Sequence, residues 1–183
     1  MTPSMLRHLL VLSIVLGSTA ASAESYQSRS RFGLGLELGA PTGLTGKYFT
    51  GGSFAVQGGI GILESWGDDG LHLHAEAVWH PAVLHRGRTV DVPLHVGIGG
   101  RFLQHDWGRY DYCYDDRGRS YRCDDTHVGI RAPLGISFLF KRTPMDLFLE
   151  LALVIDVIHA NNDYMYDHDH AALHGAFGGR FYF

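Results

Sequence analysis

Asp146-Leu147-Phe148-Leu149-Glu150-Leu151-Ala152-Leu153-Val154-Ile155-Asp156-Val157 is the stretch on which the fold turns. Its odd positions, from Leu147 to Val157, are all aliphatic. Its even positions carry Asp146, Glu150 and Asp156 among smaller or aromatic groups. A helix sends residues two apart to nearly opposite sides, whereas a strand gathers them on one face. Read as a strand, this segment has one aliphatic face and one face with isolated charges. It is also the most apolar stretch beyond residue 24, and its acids rule out a membrane-spanning helix. If the chain crosses a membrane, it crosses as strands.

The same period of two recurs outward from this segment. Residues 126–140 place Val128, Ile130, Ala132, Leu134, Ile136, Phe138 and Phe140 opposite His127, Gly129, Arg131, Pro133, Gly135, Ser137 and Leu139. In 70–80, Leu71, Leu73, Ala75, Ala77 and Trp79 oppose His72, His74, Glu76, Val78 and His80. In 31–39, Phe32, Leu34, Leu36 and Leu38 oppose Arg31, Gly33, Gly35 and Glu37. Eight strands are predicted: 31–39, 43–50, 53–62, 70–80, 90–102, 126–140, 146–158 and 170–183. Most have the ~9–11 residues a tilted strand needs to cross a bilayer. A soluble sandwich or barrel with an apolar interior also alternates. Two features favour a barrel with its apolar side outward. The apolar face is large and recurs on almost every strand, and the other is rich in Gly, Ala and compact polar groups suited to a narrow lumen. The prediction is an all-β, eight-stranded antiparallel up-and-down transmembrane barrel.

With the N-terminus on the periplasmic side, odd-numbered connections face outward and should be the longer ones. They are 40–42, 63–69, 103–125 and 159–169; the even ones are 51–52, 81–89 and 141–145. Two of the odd loops are long, but 40–42 and 81–89 fit the rule poorly. Pro93 and Pro133 fall on the inward face, and are expected to mark bulges because proline cannot donate to a ladder.

The N-terminus reads as an export signal: Arg7, an apolar run over Leu9–Leu16, and Ala21-Ser22-Ala23 as a small-residue cleavage site. Domains are therefore expected as a signal peptide over 1–23 and a barrel over 24–183, with the mature chain located in the bacterial outer membrane. Removal of 1–23 takes Arg7 from the 15 bases, leaving 14 against 19 acids. Such a mildly acidic chain offers no footprint for nucleic acid, which is not expected as a partner.

The chain ends Gly179-Arg180-Phe181-Tyr182-Phe183, with Phe177, Phe181 and Phe183 on one face. This is similar to the terminal-strand signal of bacterial outer-membrane barrels, and Phe183 is the residue it assigns to the barrel-assembly machinery. Gly35-Leu36-Glu37-Leu38-Gly39-Ala40-Pro41-Thr42-Gly43-Leu44-Thr45-Gly46-Lys47-Tyr48 resembles the opening hairpin of a family of small outer-membrane barrels first described in spirochaetes, similar in fold to OmpA and OmpX. Leu71–Glu76, Val96–Phe102, Gly129–Gly135 and Asp146–Leu151 look similar to its later strands. The resemblance spans about 31–183 and implies the barrel and the membrane. It implies little chemistry, although some surface-exposed relatives are thought to bind host proteins. The cysteine-bearing loop is a departure from the family pattern.

Cys113 and Cys123 are the only cysteines, and in an exported chain they are expected to form a disulfide. Their loop mixes acids, arginines and tyrosines, which reads equally as a recognition surface for an extracellular protein or as a solvated loop. The last loop, with Asn161, Asn162, Asp163, Asp167, His168, Asp169 and His170, has oxygen and imidazole donors but no established calcium or zinc spacing. No metal or cofactor is expected. No serine lies in a nucleophile motif, so no catalytic residues are assigned. His72, His74, His95 and His174 fall on inward faces, where hydrogen bonding within the lumen is the expected role.

By strand parity the inward charges include Glu37, Lys47, Glu76, Arg101, Arg131, Glu150, Asp156 and Arg180, four acids and four bases. An eight-stranded barrel has an interior just wide enough for side chains to fill. Charges held there must pair, because an unpaired buried charge costs several kcal/mol. The expected function is a non-enzymatic, monomeric outer-membrane barrel with an interlocked polar lumen and loops facing an external partner. The alternatives are an outer-membrane hydrolase or acyltransferase, and a soluble lipocalin-like carrier with its apolar face inward.

Overall fold

The computed structural model describes residues 31–65, 68–105, 112–114, 120–122, 126–160 and 171–183. The signal segment 1–23, Cys123 and the whole metal-donor run 161–170 lie outside the described residues. The strands are β1 (Phe32–Gly39), β2 (Thr42–Gly51), β3 (Phe54–Ser65), β4 (Asp68–Arg86), β5 (Val90–His105), β6 (Tyr112–Tyr114), β7 (Ser120–Arg122), β8 (Thr126–Phe140), β9 (Met145–Ala160) and β10 (Ala171–Tyr182). Eight of them close an antiparallel barrel in the order β1-β10-β9-β8-β5-β4-β3-β2. The short strands β6 and β7 form a separate hairpin within the long 106–125 connection.

Closure is set by register. Pairing runs from Phe138 to Leu147, Gly179, Leu36, Leu44, Ile60, Leu73 and Phe102, and returns to β8 at Val128, ten residues from its start. A stagger of ten residues over eight strands fixes how far the strands tilt from the barrel axis, typically by about 35–45°. The exterior carries an apolar band. Leu34, Leu36, Leu44, Ile60, Ile98, Ile130, Leu134, Leu149, Leu151, Leu153 and Leu173 are all exposed, several by more than half. A soluble domain would not present so large a continuous apolar surface to water.

One end of the band is ringed by aromatics. Phe32 at the start of β1 pairs with Tyr48 near the end of β2, and both face outward. Phe54 at the start of β3 stacks on Trp79 of β4 at 6.5 Å. Phe181 and Phe183 meet edge to face at 5.4 Å. This is the end where the connections are short: 52–53, 87–89 and 141–144. Gly51 and Gly52 make the first of these turns at φ 135° and 58°, values that glycine adopts readily.

Two expectations need correction. β4 continues to Arg86, so the 81–89 connection is a three-residue turn. The sequence hides this because register shifts between Trp79 and Ala82 and between Val83 and His85 break the alternation. The second concerns the prolines. Pro93 does lie beside a bulge, which is in β4 across from it. Pro133 does not. β8 pairs it with Ala152 in register, and β5–β8 keeps one register from Val96–Leu134 to Gly99–Arg131. Gly97 accommodates it there, since a Cβ on Gly97 would sit 3.0 Å from the Pro133 ring.

Candidate functional site

The barrel's interior is its most chemically distinctive region. Because each strand alternates, every second residue points inward, and those positions carry the charges. Glu37, Lys47, Glu76, Arg101, Arg131, Glu150 and Arg180 are buried, and the Asp156 side chain is 7% exposed.

Five of these eight join one continuous network. Arg131 on β8 donates from Nη1 to Glu76 Oε1 (2.5 Å) and from Nη2 to Glu150 Oε1 (2.9 Å). Glu76 also meets His74 Nδ1 at 2.6 Å, and His74 Nε2 lies 3.2 Å from Glu37 Oε1 on β1. On the other side, Gln57 Nε2 donates to Glu150 Oε2 (2.7 Å), and Arg180 Nη1 donates to Gln57 Oε1 (3.5 Å). A single amide thus links a carboxylate to a guanidinium with the correct polarity at each end. Arg180 Nε donates to Asp146 Oδ1 (3.1 Å), and the Tyr182 hydroxyl donates to Asp146 Oδ2 (2.8 Å). His95 Nε2 lies 3.2 Å from Glu150 Oε2. The network ties β1, β3, β4, β5, β8, β9 and β10 together across the lumen.

The other three predicted charges stand apart from it. Arg101 holds Asp156 through both Nε and Nη2, the Nε bond being 2.8 Å, and His127 Nδ1 lies 3.4 Å from the same carboxylate. Lys47 binds an imidazole: its Nζ is 2.9 Å from His80 Nε2 and lies 5.2 Å from the centre of the Phe49 ring. His80 Nδ1 in turn faces the Ser53 carbonyl at 2.9 Å. Phe49 packs on Tyr182 at 5.8 Å with Ala55 alongside, an apolar layer across the short-turn mouth.

Parity alone does not assign Asp146, Gln57, His80 and Tyr182 to the charged set. Asp146 is on the inward face but at the edge of its predicted strand, where parity says little about depth. With Asp146 included, five carboxylates face Lys47, Arg101, Arg131 and Arg180. His74 stands between Glu37 and Glu76, with Arg131 Nη1 3.2 Å from its Nδ1.

Inward glycines make room for these groups. A Cβ on Gly59 would lie 2.5 Å from His74 Nε2, and one on Gly135 would lie 2.5 Å from His95 Nε2. Of the other candidate residues, Cys113 lies in β6 opposite Tyr121.

No protein-family model matches the sequence, nor does any curated protein. Among solved structures, the crystal structure of the N-terminal β-barrel domain of Pseudomonas aeruginosa OprF is similar, with a TM-score of 0.50 and 12% sequence identity. The likeness covers 84% of this chain and 96% of that chain. The chain therefore has the fold of a small eight-stranded outer-membrane barrel, and the expected resemblance to the OmpA-like barrels holds at the level of fold.

Proposed function

We propose that this chain is an exported, monomeric outer-membrane protein without enzymatic activity. In this reading it is a closed barrel that anchors its long loops, 106–125 and 161–170, toward a partner outside the cell. The observation that carries it is the inverted polarity: aliphatic side chains outside and a seven-strand ion network inside. A lipocalin-like carrier needs an apolar cavity, which this charged lumen does not offer. An enzyme would pair an imidazole with a nucleophile, whereas His74 and His95 face carboxylates. The network also argues against a pore, since the same side chains that pair across the lumen would have to part to admit water.

Two measurements test this reading. The folded protein should migrate differently on SDS gels before and after boiling, as closed barrels resist detergent. In planar bilayers the pure protein should give no large, steady conductance. Recovery of all the protein in a soluble periplasmic fraction would refute membrane residence, and sustained conductance would refute the closed lumen.

A further inference from the structure

The balance of charge outside the lumen differs between the two ends. Residues 106–125 and 161–170 hold nine acids and four arginines. The turns at the opposite end hold Arg86, Arg88, Lys141 and Arg142, all exposed, with Asp91 as the acid between them. The two turns that carry these four cations are joined. The β4–β5 turn is closed by a hydrogen bond from Gly87 N to Val90 O, and the β8–β9 turn is bound to it by Lys141 N to Thr89 O (both 2.9 Å). Lys141 Nζ reaches Asp91 at 2.9 Å, which leaves positive charge in excess.

The height of the joined turns follows from register. Trp79 pairs with Phe54, the first residue of β3, and His80 N bonds Ser53 O. The part of β4 beyond His80 therefore runs past the end of β3 and below the aromatic ring. It carries Leu84, 61% exposed, on the way to Arg86. Aromatic rings sit at the level where hydrocarbon meets head groups. Cations immediately beyond them lie among the phosphates.

We infer that the paired β4–β5 and β8–β9 turns bind the phosphate groups of anionic lipids in the leaflet at the short-turn end. This rests on the membrane reading above. Guanidinium groups suit the ligand because they match phosphate oxygens in pairs.

The test uses the full mature protein folded in detergent micelles, titrated with phosphatidylglycerol or phosphatidylcholine carrying identical acyl chains, with retained lipid counted by native mass spectrometry. The wild type should retain phosphatidylglycerol preferentially, and raising the salt should erase the preference. The Arg88→Gln/Lys141→Gln/Arg142→Gln variant should bind it at least ~10-fold more weakly at low salt. The loop variant Arg117→Gln/Arg119→Gln/Arg122→Gln, with the same change in charge, should keep the preference. Equal retention of the two lipids by the folded wild type, equal loss in both variants, or a preference that salt leaves intact would each overturn the inference. If the heat-modified gel shift is also absent, the membrane reading falls with it; if the shift is present, only the lipid site falls.

Discussion

Arg131 and Glu76 sit on strands that are not neighbours, since β5 lies between β4 and β8, yet their side chains meet at 2.5 Å. The pair therefore acts as a strut across the lumen. Backbone hydrogen bonds already hold each strand to its neighbours; this contact holds strands that no ladder connects.

Breaking the strut should destabilise the barrel strongly. Glu76→Leu leaves Arg131 with Glu150 alone and strands part of a buried guanidinium, at a cost of about 3–5 kcal/mol. Lys141→Gln removes the exposed member of a surface pair whose other member, Asp91, is half-buried, and should cost less than ~1 kcal/mol. Urea unfolding in micelles, followed by the heat-dependent gel shift, compares the two. Equal midpoints for the two variants would mean that the lumen charges do not brace the wall.

A second prediction concerns space. Gly59→Val forces methyl groups into the contact between Glu37 and His74, and should cost about 1–3 kcal/mol through overpacking. Gly100 faces outward with no atom nearer than 3.8 Å to an added Cβ, so Gly100→Ala should be neutral or slightly stabilising. If Gly59→Val unfolds at the same urea concentration as wild type, the lumen is looser than the hydrogen-bond distances imply.

These two cases show what the sequence could disclose. A period of two, sustained over Leu147–Val157 and Val128–Phe140, determines which side of the wall each residue faces, and that suffices to gather Glu76, Arg131 and Glu150 in one lumen. Parity carries no information about height along the axis. Height depends on the ten-residue stagger, which emerges only when all eight registers are added together. Arg101–Asp156 and Lys47–His80 therefore could not be told apart from the central network in advance. The extension of β4 was hidden for a related reason: its bulges interrupt the very alternation used to find strands.

The Cys113–Cys123 bridge is proposed on redox grounds, as an exported pair in one loop. Closing so short a loop should stabilise by about 2–3 kcal/mol at most, and the effect should be confined to the β6–β7 region rather than the barrel. Thiol labelling of the unfolded, unreduced protein should find no reactive cysteine. Reduction should leave the gel shift intact. Two labelled thiols in protein isolated from cells would refute the bridge.

The last strand offers a test that separates folding from assembly. Phe183 is 69% exposed, packs against Phe181, and is held by a hydrogen bond from its N–H to the Phe32 carbonyl (2.8 Å). It lies one residue beyond Tyr182, whose hydroxyl joins the lumen network and whose backbone closes β10 onto β1 at Gly33. Deleting Phe183 removes an outward ring and one hydrogen bond but spares the seam and the network. Purified deletion protein should therefore refold in detergent with a gel shift close to wild type. In cells, if the terminal aromatic is what the assembly machinery reads, the same deletion should slow the appearance of the heat-modifiable form several-fold after a pulse of synthesis. Tyr182→Phe should do the reverse, assembling at the normal rate while lowering urea resistance by about 1–2 kcal/mol, because Asp146 loses a buried donor. Refolding and cellular assembly impaired together by the Phe183 deletion would assign the residue a structural role instead of a recognition role.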